Sequence, residues 1–333
     1  MRVKEIALFE QPLDETPLYR LSGDYSENYI YIKREDMLPF SFGGNKARKA
    51  AKFYREIKKS GADIIMTYGS NSSNHCRIIA NMAAAMGLDC HIISTDEKVE
   101  STSGEELYNT KLIRSFGATI EVCSIDQVAA TIENRKKAYA AEGRKPYFIT
   151  GGGHGNPGTE AYVEAYQEIR NYEVNNGKCF DYIFHASGTG TTQAGLICGL
   201  LQERALLATK KSGSKVTQPQ IIGISIAREQ SRGKQVVEDS IKEYLGEQQF
   251  AALFQPEDLI FTDHYRAGGY GQYTPAIADT ITNVMKQEGI PMDTTYVGKA
   301  FYGMLEYCKE HQISNKRILF IHTGGTPLYF DNL

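Results

Sequence analysis

Hydrophobic residues along the chain form short β-rich runs that alternate with longer stretches of helical spacing. In one such stretch, Ile78, Ile79, Met82 and Met86 recur at intervals that place them on one face of an α-helix. The short runs are rich in β-branched and aromatic residues and are bounded by turn formers, which is typical of strands. The predicted strands cover residues 30–36, 63–68, 90–94, 118–123, 146–151, 180–187, 220–227 and 317–323.

Helices are predicted between most of these strands, and the first of them, 45–61, is basic and ends at Gly61. The others cover residues 75–87, 104–115, 126–141, 158–173, 192–205, 275–288 and 298–310. Strands that alternate with helices require parallel sheets covered on both faces, so the sequence predicts an α/β fold. Two polar segments rich in turn formers, 94–106 and 210–220, are predicted loops.

A length of 333 residues exceeds what one hydrophobic core usually serves, so two domains are expected. The glycine-rich run 150–158 is the best candidate for one crossing between them, and Gly43 with Gly44 for the other. This division gives a larger domain of residues 1–44 and 159–333 and a smaller domain of residues 45–158. Both domains are expected to be doubly wound around parallel sheets.

Charge and composition argue against several classes of protein. A net charge of −3 disfavours a dedicated nucleic-acid or anionic-membrane binder, and no apolar run is long enough to cross a bilayer. The N-terminal segment lacks the apolar core of a secretory signal. Six scattered cysteines without a Cys-x-x-Cys pair indicate reduced thiols, and the histidines show no metal-ligand spacing. A cytoplasmic protein without a metal site is the default expectation.

Turns rich in glycine and hydroxyl groups follow several predicted strands, at the ends where open parallel sheets bind ligands. The turn "SGTGTT", residues 187–192, leads into a helix and suits a phosphate group. Gln193 stands where a dinucleotide fingerprint has its third glycine, and no Walker lysine follows. A compact monophosphate ester therefore fits better than a pyrophosphate. The alternative is a tight turn with capping hydroxyl groups.

Lys46 follows two glycines and an asparagine, directly after the apolar-aromatic run "MLPFSF". A lysine at a helix start is usually a solvated surface group. A phosphate-binding turn in the same α/β chain favours another interpretation, pyridoxal phosphate, whose aldehyde condenses with a lysine amine. Gly43 and Gly44 would let the backbone turn tightly beside that cofactor.

Several segments resemble the D-cysteine desulfhydrase and 1-aminocyclopropane-1-carboxylate (ACC) deaminase family of pyridoxal-phosphate enzymes. In chain order they are "GGNKARK", "SSNH", "SGTGTTQAGL", "TTYVGKAFYGM" and "HTGGTP". The resemblance extends from about residue 10 to about residue 330. It implies a fold like that of the tryptophan-synthase β subunit, with the cofactor in a cleft between the two domains. It also implies a homodimer.

The resemblance assigns expected roles to individual residues. Lys46 would be the Schiff-base lysine, Asn74 would bind the 3-hydroxyl of the cofactor, and Thr323 would be the partner of its pyridine nitrogen. Ser73 would hold the substrate carboxylate or relay a proton, beside Asn74 and His75 in the substrate-binding segment. Tyr270 and Tyr296 would approach the substrate, although either alone could be a packing residue. The phosphate would lie on Ser187, Gly188, Thr189, Gly190, Thr191 and Thr192.

Two departures from the family pattern bear on the reaction. ACC deaminases have a glutamate directly after the second tyrosine, where this chain has Val297. A hydroxyl group at Thr323 leaves the pyridine ring less electrophilic than a carboxylate would, which favours elimination of a good leaving group over ring opening. His154 stands where a serine is usual in the family. It could contact substrate or belong only to the loop, and the loop interpretation is favoured.

These observations predict a lyase or deaminase that performs α,β-elimination, with D-cysteine converted to pyruvate, sulfide and ammonia. Within the same fold the alternatives are ACC-type ring opening, elimination from another β-substituted amino acid such as cysteate, and β-replacement. Outside it they are a nucleotide-dependent oxidoreductase and a non-catalytic ligand-binding protein. The expected partner is a small amino-acid substrate rather than a nucleic acid or a membrane.

Overall fold

The computed structural model describes residues 3–70, 72–95, 106–209 and 218–331. Most of each predicted loop, 94–106 and 210–220, lies outside these residues. The strands are β1 Leu18–Arg20, β2 Tyr29–Arg34, β3 Ile64–Gly69, β4 Asp89–Ser94, β5 Thr119–Val122, β6 Pro146–Ile149, β7 Tyr182–Ser187, β8 Gln220–Ser225, β9 Ile260–Thr262 and β10 Arg317–His322. The helices are α1 Ala7–Glu10, α2 Asn45–Ser60, α3 Asn74–Met86, α4 Tyr108–Ser115, α5 Val128–Ala141, α6 Asn156–Asn176, α7 Thr191–Thr209, α8 Gln230–Leu245, α9 Glu247–Leu253, α10 Pro275–Glu288, α11 Val297–Glu310 and α12 Thr326–Phe330.

The strands form two sheets, and the α/β fold with parallel sheets is confirmed. The larger sheet has the order β1-β2-β10-β7-β8-β9, and the smaller has the order β5-β4-β3-β6. Every pairing is parallel except that of β1 with β2. Strands of the smaller sheet come from one continuous stretch, whereas those of the larger sheet come from both sides of it. The exact bounds of the two domains stay a prediction.

Helices cover both faces of each sheet. In the larger sheet, Phe184 and Phe320 pack in a core with α10 and α11 on one face. Their neighbours along the strands, Ile183 and Leu319, pack with α6, α7 and α8 on the other face, because successive strand residues point to opposite sides. The smaller sheet lies between α2 and α3 on one face and α5 on the other. No helix in the described part of the chain is long and apolar enough to cross a membrane.

The sequence pattern did not predict β1, β9, α1, α8, α9 or α12. The two strands have three residues each and form the outer edges of the larger sheet, so they lack the long apolar runs of the central strands. Helix α8 is largely polar and buries a narrow face against its neighbours. Its Gly233 lies so close to the Phe261 ring that a Cβ atom would come within 2.1 Å of it.

A buried cluster of charges connects α2 to β2 and α6. Glu35 is fully buried, and its carboxylate accepts hydrogen bonds from Arg48 Nε at 2.6 Å and Nη2 at 2.8 Å. Glu168 of α6 accepts from Arg48 Nη1 and from Lys33 Nζ, each at 2.5 Å. Burial alone would raise the pKa of Glu35, but the charges of Arg48 and Lys33 outweigh it and lower that pKa to about 2. This cluster fixes the helix that begins beside Lys46.

We expect Glu35→Gln to destabilise the protein by about 3–5 kcal/mol, because it leaves a buried guanidinium without its full charge partner. Urea unfolding at neutral pH measures this change. Glu133→Gln, in the exposed pair with Lys136, is the matched control and should cost less than about 1 kcal/mol. Because the pKa of Glu35 is lowered on folding, its contribution is complete above 4.5 and is lost as the pH falls toward 2. Equal effects of the two substitutions would contradict the prediction.

Candidate active site

The carboxyl ends of strands from both sheets open onto one cavity of about 330 Å³. Its wall is formed by the segments after β3, β6, β7, β8 and β10, and by the beginnings of α2, α3 and α11. Most residues predicted to act in the site contribute to this wall. They are Lys46, Ser73, Asn74, His75, Gly188, Thr189, Gly190, Thr192, Tyr270, Tyr296 and Thr323.

Lys46 lies in the first turn of α2, and its position depends on a close backbone contact. Gly44 has a φ of 92°, and a Cβ atom there would come within 2.8 Å of the Thr323 carbonyl oxygen. The backbone N–H of Asn45 donates to that same oxygen at 2.9 Å. Glycine is therefore required where the start of α2 packs on the segment after β10. The contact directs the Lys46 side chain into the cavity, where Nζ donates to the Gly152 carbonyl at 2.9 Å.

The environment of Lys46 favours a neutral amine. Burial, and then the positive charge of Arg228, lower the pKa of Lys46 from 10.5 to about 8. Among the described residues, no aspartate or glutamate lines the cavity and opposes this shift. A neutral amine can act as a nucleophile toward an aldehyde and as a general base, whereas an ammonium group can do neither.

The predicted phosphate turn connects β7 to α7, and Gly190 within it has a φ of 97°. Gly188, Thr189, Gly190 and Thr192 line the cavity at the N-terminus of this long helix, where free N–H groups favour an anion. Ser187 and Thr191 lie deeper. The Ser187 hydroxyl donates to Gln193 Oε1 at 3.1 Å, and Thr191 Oγ1 accepts from Lys49.

Lys49 is a buried lysine that the sequence interpretation did not assign to the site. It lies one turn after Lys46 on α2, and its Nζ donates to Thr191 Oγ1 at 2.7 Å. Burial, and then the charge of Lys46, lower its pKa well below the usual value. The spacing within "NKARK" places both lysines on one face of the helix, which is the signal that could have found it.

The segment from Ser73 to His75 begins α3. Ser73 Oγ accepts from the Cys76 N–H at 3.2 Å and caps the helix. His75 Nε2 lies 2.8 Å from Thr67 Oγ1, whose hydrogen is donated to the Ile149 carbonyl. Nε2 must therefore carry the hydrogen of a neutral imidazole. Burial, and then the charges of nearby lysines, hold the pKa of His75 well below its usual value, so the neutral ring connects α3 to Thr67 of β3.

The two predicted tyrosines meet at the opposite wall. Tyr270 Oη and Tyr296 Oη lie 2.7 Å apart, and Ser70 Oγ lies 3.0 Å from Tyr270 Oη. Burial, and then its neighbour Tyr270, raise the pKa of Tyr296 well above the usual value, so it stays a neutral phenol. The Asp293 carboxylate accepts the backbone N–H of Tyr296 at 2.8 Å and fixes the start of α11. These contacts form a chain of hydroxyl groups along the cavity.

Three further residues, each named in the sequence analysis, differ in whether they reach the cavity. Thr323 lines the cavity, whereas Val297 is fully buried in the apolar core beside the larger sheet. His154 is absent from the described cavity wall, and its Nδ1 lies 3.3 Å from the Thr189 carbonyl oxygen. This geometry supports the loop interpretation of His154.

Arg228 and Tyr68 also line the cavity and were missed by sequence reasoning. Arg228 follows β8 and donates through Nη1 to the Gly188 carbonyl. Nothing in its local sequence marks it, because its place in the site depends on the neighbouring strand. Asn45, also missed, donates through Nδ2 to Thr192 Oγ1 at 3.1 Å and joins α2 to the phosphate turn.

The residues present fit pyridoxal phosphate. A buried amine of lowered pKa is available for the aldehyde, and a glycine-threonine turn at a helix N-terminus is available for the phosphate. The amine and the turn lie close together. Gly152, whose carbonyl accepts from Lys46, packs so tightly on the turn that a Cβ atom there would come within 2.4 Å of Thr189. A compact cofactor that carries an aldehyde and one phosphate ester matches both ends of this arrangement.

Comparison with known proteins agrees with this fit. The pyridoxal-phosphate dependent enzyme family matches residues 9–324. A D-cysteine desulfhydrase of Yersinia enterocolitica is 32% identical over 330 residues, which cover 95% of this chain and 92% of that protein. A D-cysteine desulfhydrase of Serratia proteamaculans is 32% identical over 327 residues, with coverage of 95% and 92%.

Solved structures agree as well. A structure described as an ACC deaminase homologue has a TM-score of 0.77 at 31% identity and covers 94% of this chain and 90% of that one. O-ureido-L-serine synthase, at 17% identity and a TM-score of 0.64 over 96% of this chain and 91% of that one, shares the fold.

The similarity extends over nearly the whole chain and includes its fold. It confirms the resemblance drawn from the lysine, phosphate and tyrosine segments, and with it the dependence on pyridoxal phosphate. The roles of the individual residues stay predictions. The chain belongs to the family of pyridoxal-phosphate dependent enzymes.

Proposed function

We propose that this enzyme catalyses α,β-elimination from a small amino acid with a leaving group on Cβ, and that its substrate is D-cysteine. With one water consumed in hydrolysis of the enamine that elimination leaves, the products are then pyruvate, sulfide and ammonia. One observation carries the proposal: the partly buried Lys46 amine, whose pKa is lowered, lies in a cavity whose described wall contains no carboxylate. The names of the relatives that are 32% identical support D-cysteine as the substrate.

In this proposal the cofactor is held by residues from both sheets. Bound pyridoxal phosphate supplies an aldehyde that joins amines and a ring that stabilises negative charge at Cα. Lys46 would hold the aldehyde carbon, Asn74 would bind the 3-oxygen, and Thr323 would be the partner of the pyridine nitrogen; all three line the cavity. The turn after β7 holds the phosphate.

Side chains of the protein carry out the proton transfers of the proposed reaction. Lys46 Nζ removes the Cα proton, which it can do near neutral pH because its pKa is close to 8. The N-terminus of α3, capped by Ser73, binds the substrate carboxylate through its free N–H groups. The hydroxyl groups of Tyr296 and Tyr270 donate hydrogen bonds to the departing sulfur, and burial keeps Tyr296 a neutral phenol by raising its pKa. The 2.7 Å contact between their hydroxyl oxygens holds the two groups together at this position.

The absence of a carboxylate at the described cavity wall favours elimination over ring opening. A carboxylate beside the pyridine nitrogen would keep that nitrogen protonated and would strengthen electron withdrawal. The hydroxyl of Thr323 withdraws less, and Val297 is directed into the apolar core. A weaker electron sink suits a substrate whose leaving group departs readily, such as a thiol.

We further propose that the enzyme is a homodimer in the cytoplasm, as the resemblance to its family implies. Light scattering of the purified protein at micromolar concentration should give twice the mass of one chain. A monomer of full activity would contradict this proposal without affecting the reaction.

D-Cysteine should change the visible spectrum of the loaded enzyme and release pyruvate and sulfide in equal amounts. L-cysteine, ACC and cysteate are the comparison substrates, and an added thiol tests for β-replacement. Product analysis separates the outcomes, because replacement retains the amino acid whereas elimination releases ammonia. Faster turnover of ACC than of D-cysteine would overturn the proposed substrate.

Lys46→Ala should reduce turnover at least about 10³-fold, because it removes the general base and the amine that binds the aldehyde. Lys52→Ala is the matched control, since Lys52 lies on the same helix but pairs at the surface with Glu160 and Glu164. It should retain the activity of the unmodified enzyme. Full activity of the Lys46 variant would refute the mechanism.

The reaction of Lys46 with pyridoxal phosphate in the apoprotein should increase with pH around a midpoint near 8, because only the neutral amine reacts. Brief exposure, reduction with borohydride and mass spectrometry of the Lys46 peptide measure it. Lys58 is an internal control, since its hydrogen bond to Glu10 raises its pKa. Arg228→Gln should move the midpoint upward by removing a positive charge. A midpoint at the ordinary lysine value of 10.5 would contradict the expected environment.

A further inference from the structure

We infer that Asn109 and Arg77 orient the amide of Asn74 so that its Nδ2 hydrogens face the pyridoxal-phosphate site. Both are then positioning residues that act on the 3-oxygen of the cofactor through Asn74. The inference rests on the proposed function, in which Asn74 is the partner of that oxygen. Neither residue belongs to the described wall of the cavity.

The orientation begins with Asn109, a fully buried residue of α4. Its Nδ2 lies 2.7 Å from the carbonyl oxygen of Ser72. A carbonyl can only accept, so the atom facing it must be the amide nitrogen. The second hydrogen of Nδ2 is then available to Asn74 Oδ1, which lies 3.0 Å away.

Arg77 acts on the same atom. It lies one turn after Asn74 on α3, and its Nη2 is 3.4 Å from Asn74 Oδ1. A guanidinium group can only donate, as can the nitrogen of Asn109 in this arrangement. A reversed Asn74 amide would place its NH₂ group against both donors and lose both hydrogen bonds in a buried setting. Two donors therefore hold the oxygen of Asn74 on the side away from the cofactor.

The nitrogen of Asn74 is left on the opposite side. It lies near Gly325, where a Cβ atom would be 3.6 Å from Nδ2, and Asn74 itself lines the cavity. A donor in this position stabilises an ionised oxygen, whereas an amide oxygen there would repel it. The direction of the Asn74 amide thus decides whether the 3-oxygen is stabilised.

The charge of Arg77 supports the same assignment. Arg77 is fully buried, its Nη1 donates to Ser41 Oγ at 2.9 Å, and no carboxylate in the described ranges pairs with it. Its Nε is buried without a partner, and burial lowers its pKa to about 9. A buried cation of this kind is stabilised by a nearby anion. An ionised 3-oxygen of the bound cofactor would supply such a negative charge.

The nitrogen of the Asn109 amide, and not its oxygen, makes the hydrogen bonds that orient Asn74. Its Oδ1 is buried and has no hydrogen-bond partner in the described structure, which has a cost in stability. An apolar side chain of similar size would avoid this cost. The amide is useful here only through its nitrogen, whose two hydrogens fix Ser72 and Asn74.

The test is a double-substitution cycle read by cofactor affinity and by the absorbance spectrum of the bound cofactor, not by turnover. Asn109→Ala should weaken the binding of pyridoxal phosphate to the apoprotein about tenfold and shift the spectrum toward the form with a neutral 3-oxygen. In the Asn74→Ala background the same substitution should have no further effect, because Asn109 acts through Asn74. Asn109→Asp, which can only accept, should reverse the Asn74 amide and bind more weakly than Asn109→Ala.

Asn28→Ala is the matched control. Asn28 is also buried and donates through Nδ2 to a carbonyl, that of Ile313, but it contacts no cavity residue through its described hydrogen bonds. It should lower the unfolding temperature without changing the cofactor spectrum. If Asn109→Ala does not fold, Asn109→Ser replaces it in the double-substitution cycle, because the serine hydroxyl keeps one hydrogen-bond donor at this position.

The inference is overturned if Asn109→Ala binds the cofactor with unchanged affinity and spectrum, or if its effect is fully additive with that of Asn74→Ala. Failure of the proposed function gives a different result. An active Lys46→Ala variant would refute the proposed reaction mechanism. The double-substitution cycle tests only how the cofactor is held, so its result is independent of that outcome.

Discussion

The active site depends on a Lys46 amine that is partly removed from water and that has no acidic partner among the described residues. Acidic groups buried elsewhere are already engaged: Glu35 binds Arg48 and Lys33, and Asp293 accepts the backbone N–H groups that begin α11. Within the described ranges the amine has only a carbonyl as its acceptor, so its charge is not compensated and its neutral form is favoured. A carboxylate near Nζ would stabilise the ammonium form and remove the reactivity that the site requires.

The rest of the site consists of hydrogen-bond donors at the positions where the anionic groups of the cofactor and the substrate are expected to bind. The turn after β7 offers N–H groups, the start of α3 offers others, and Asn74 offers its amide nitrogen. Arg228 and Arg77 add positive charge behind these donors. A substrate and a cofactor that both carry anionic groups complement this distribution, and the described cavity wall contains no acidic side chain that would repel them.

Local sequence predicted those parts of the site that come from short motifs. Lys46 after two glycines and the turn from Gly188 to Thr192 could be found because turn chemistry and helix starts are encoded by neighbouring residues. The deeper placement of Ser187 and Thr191 could not, since it depends on Gln193 and on Lys49 from another element. Asn109 and Arg228 escaped for the same reason. The alternation of apolar strand-like runs with helical stretches predicted most of the fold. The short edge strands and the polar helices were not predicted, because their sequences lack a clear apolar pattern.

The position of β10 has a consequence for how the enzyme matures. It is the last strand along the chain, yet it lies in the centre of the larger sheet between β2 and β7. The start of α2 packs on the residues that follow it. A growing polypeptide on the ribosome therefore has neither the central strand of its larger sheet nor the contact that directs the reactive amine until the segment with β10 emerges. Capture of the cofactor aldehyde is thereby coupled to the synthesis of β10.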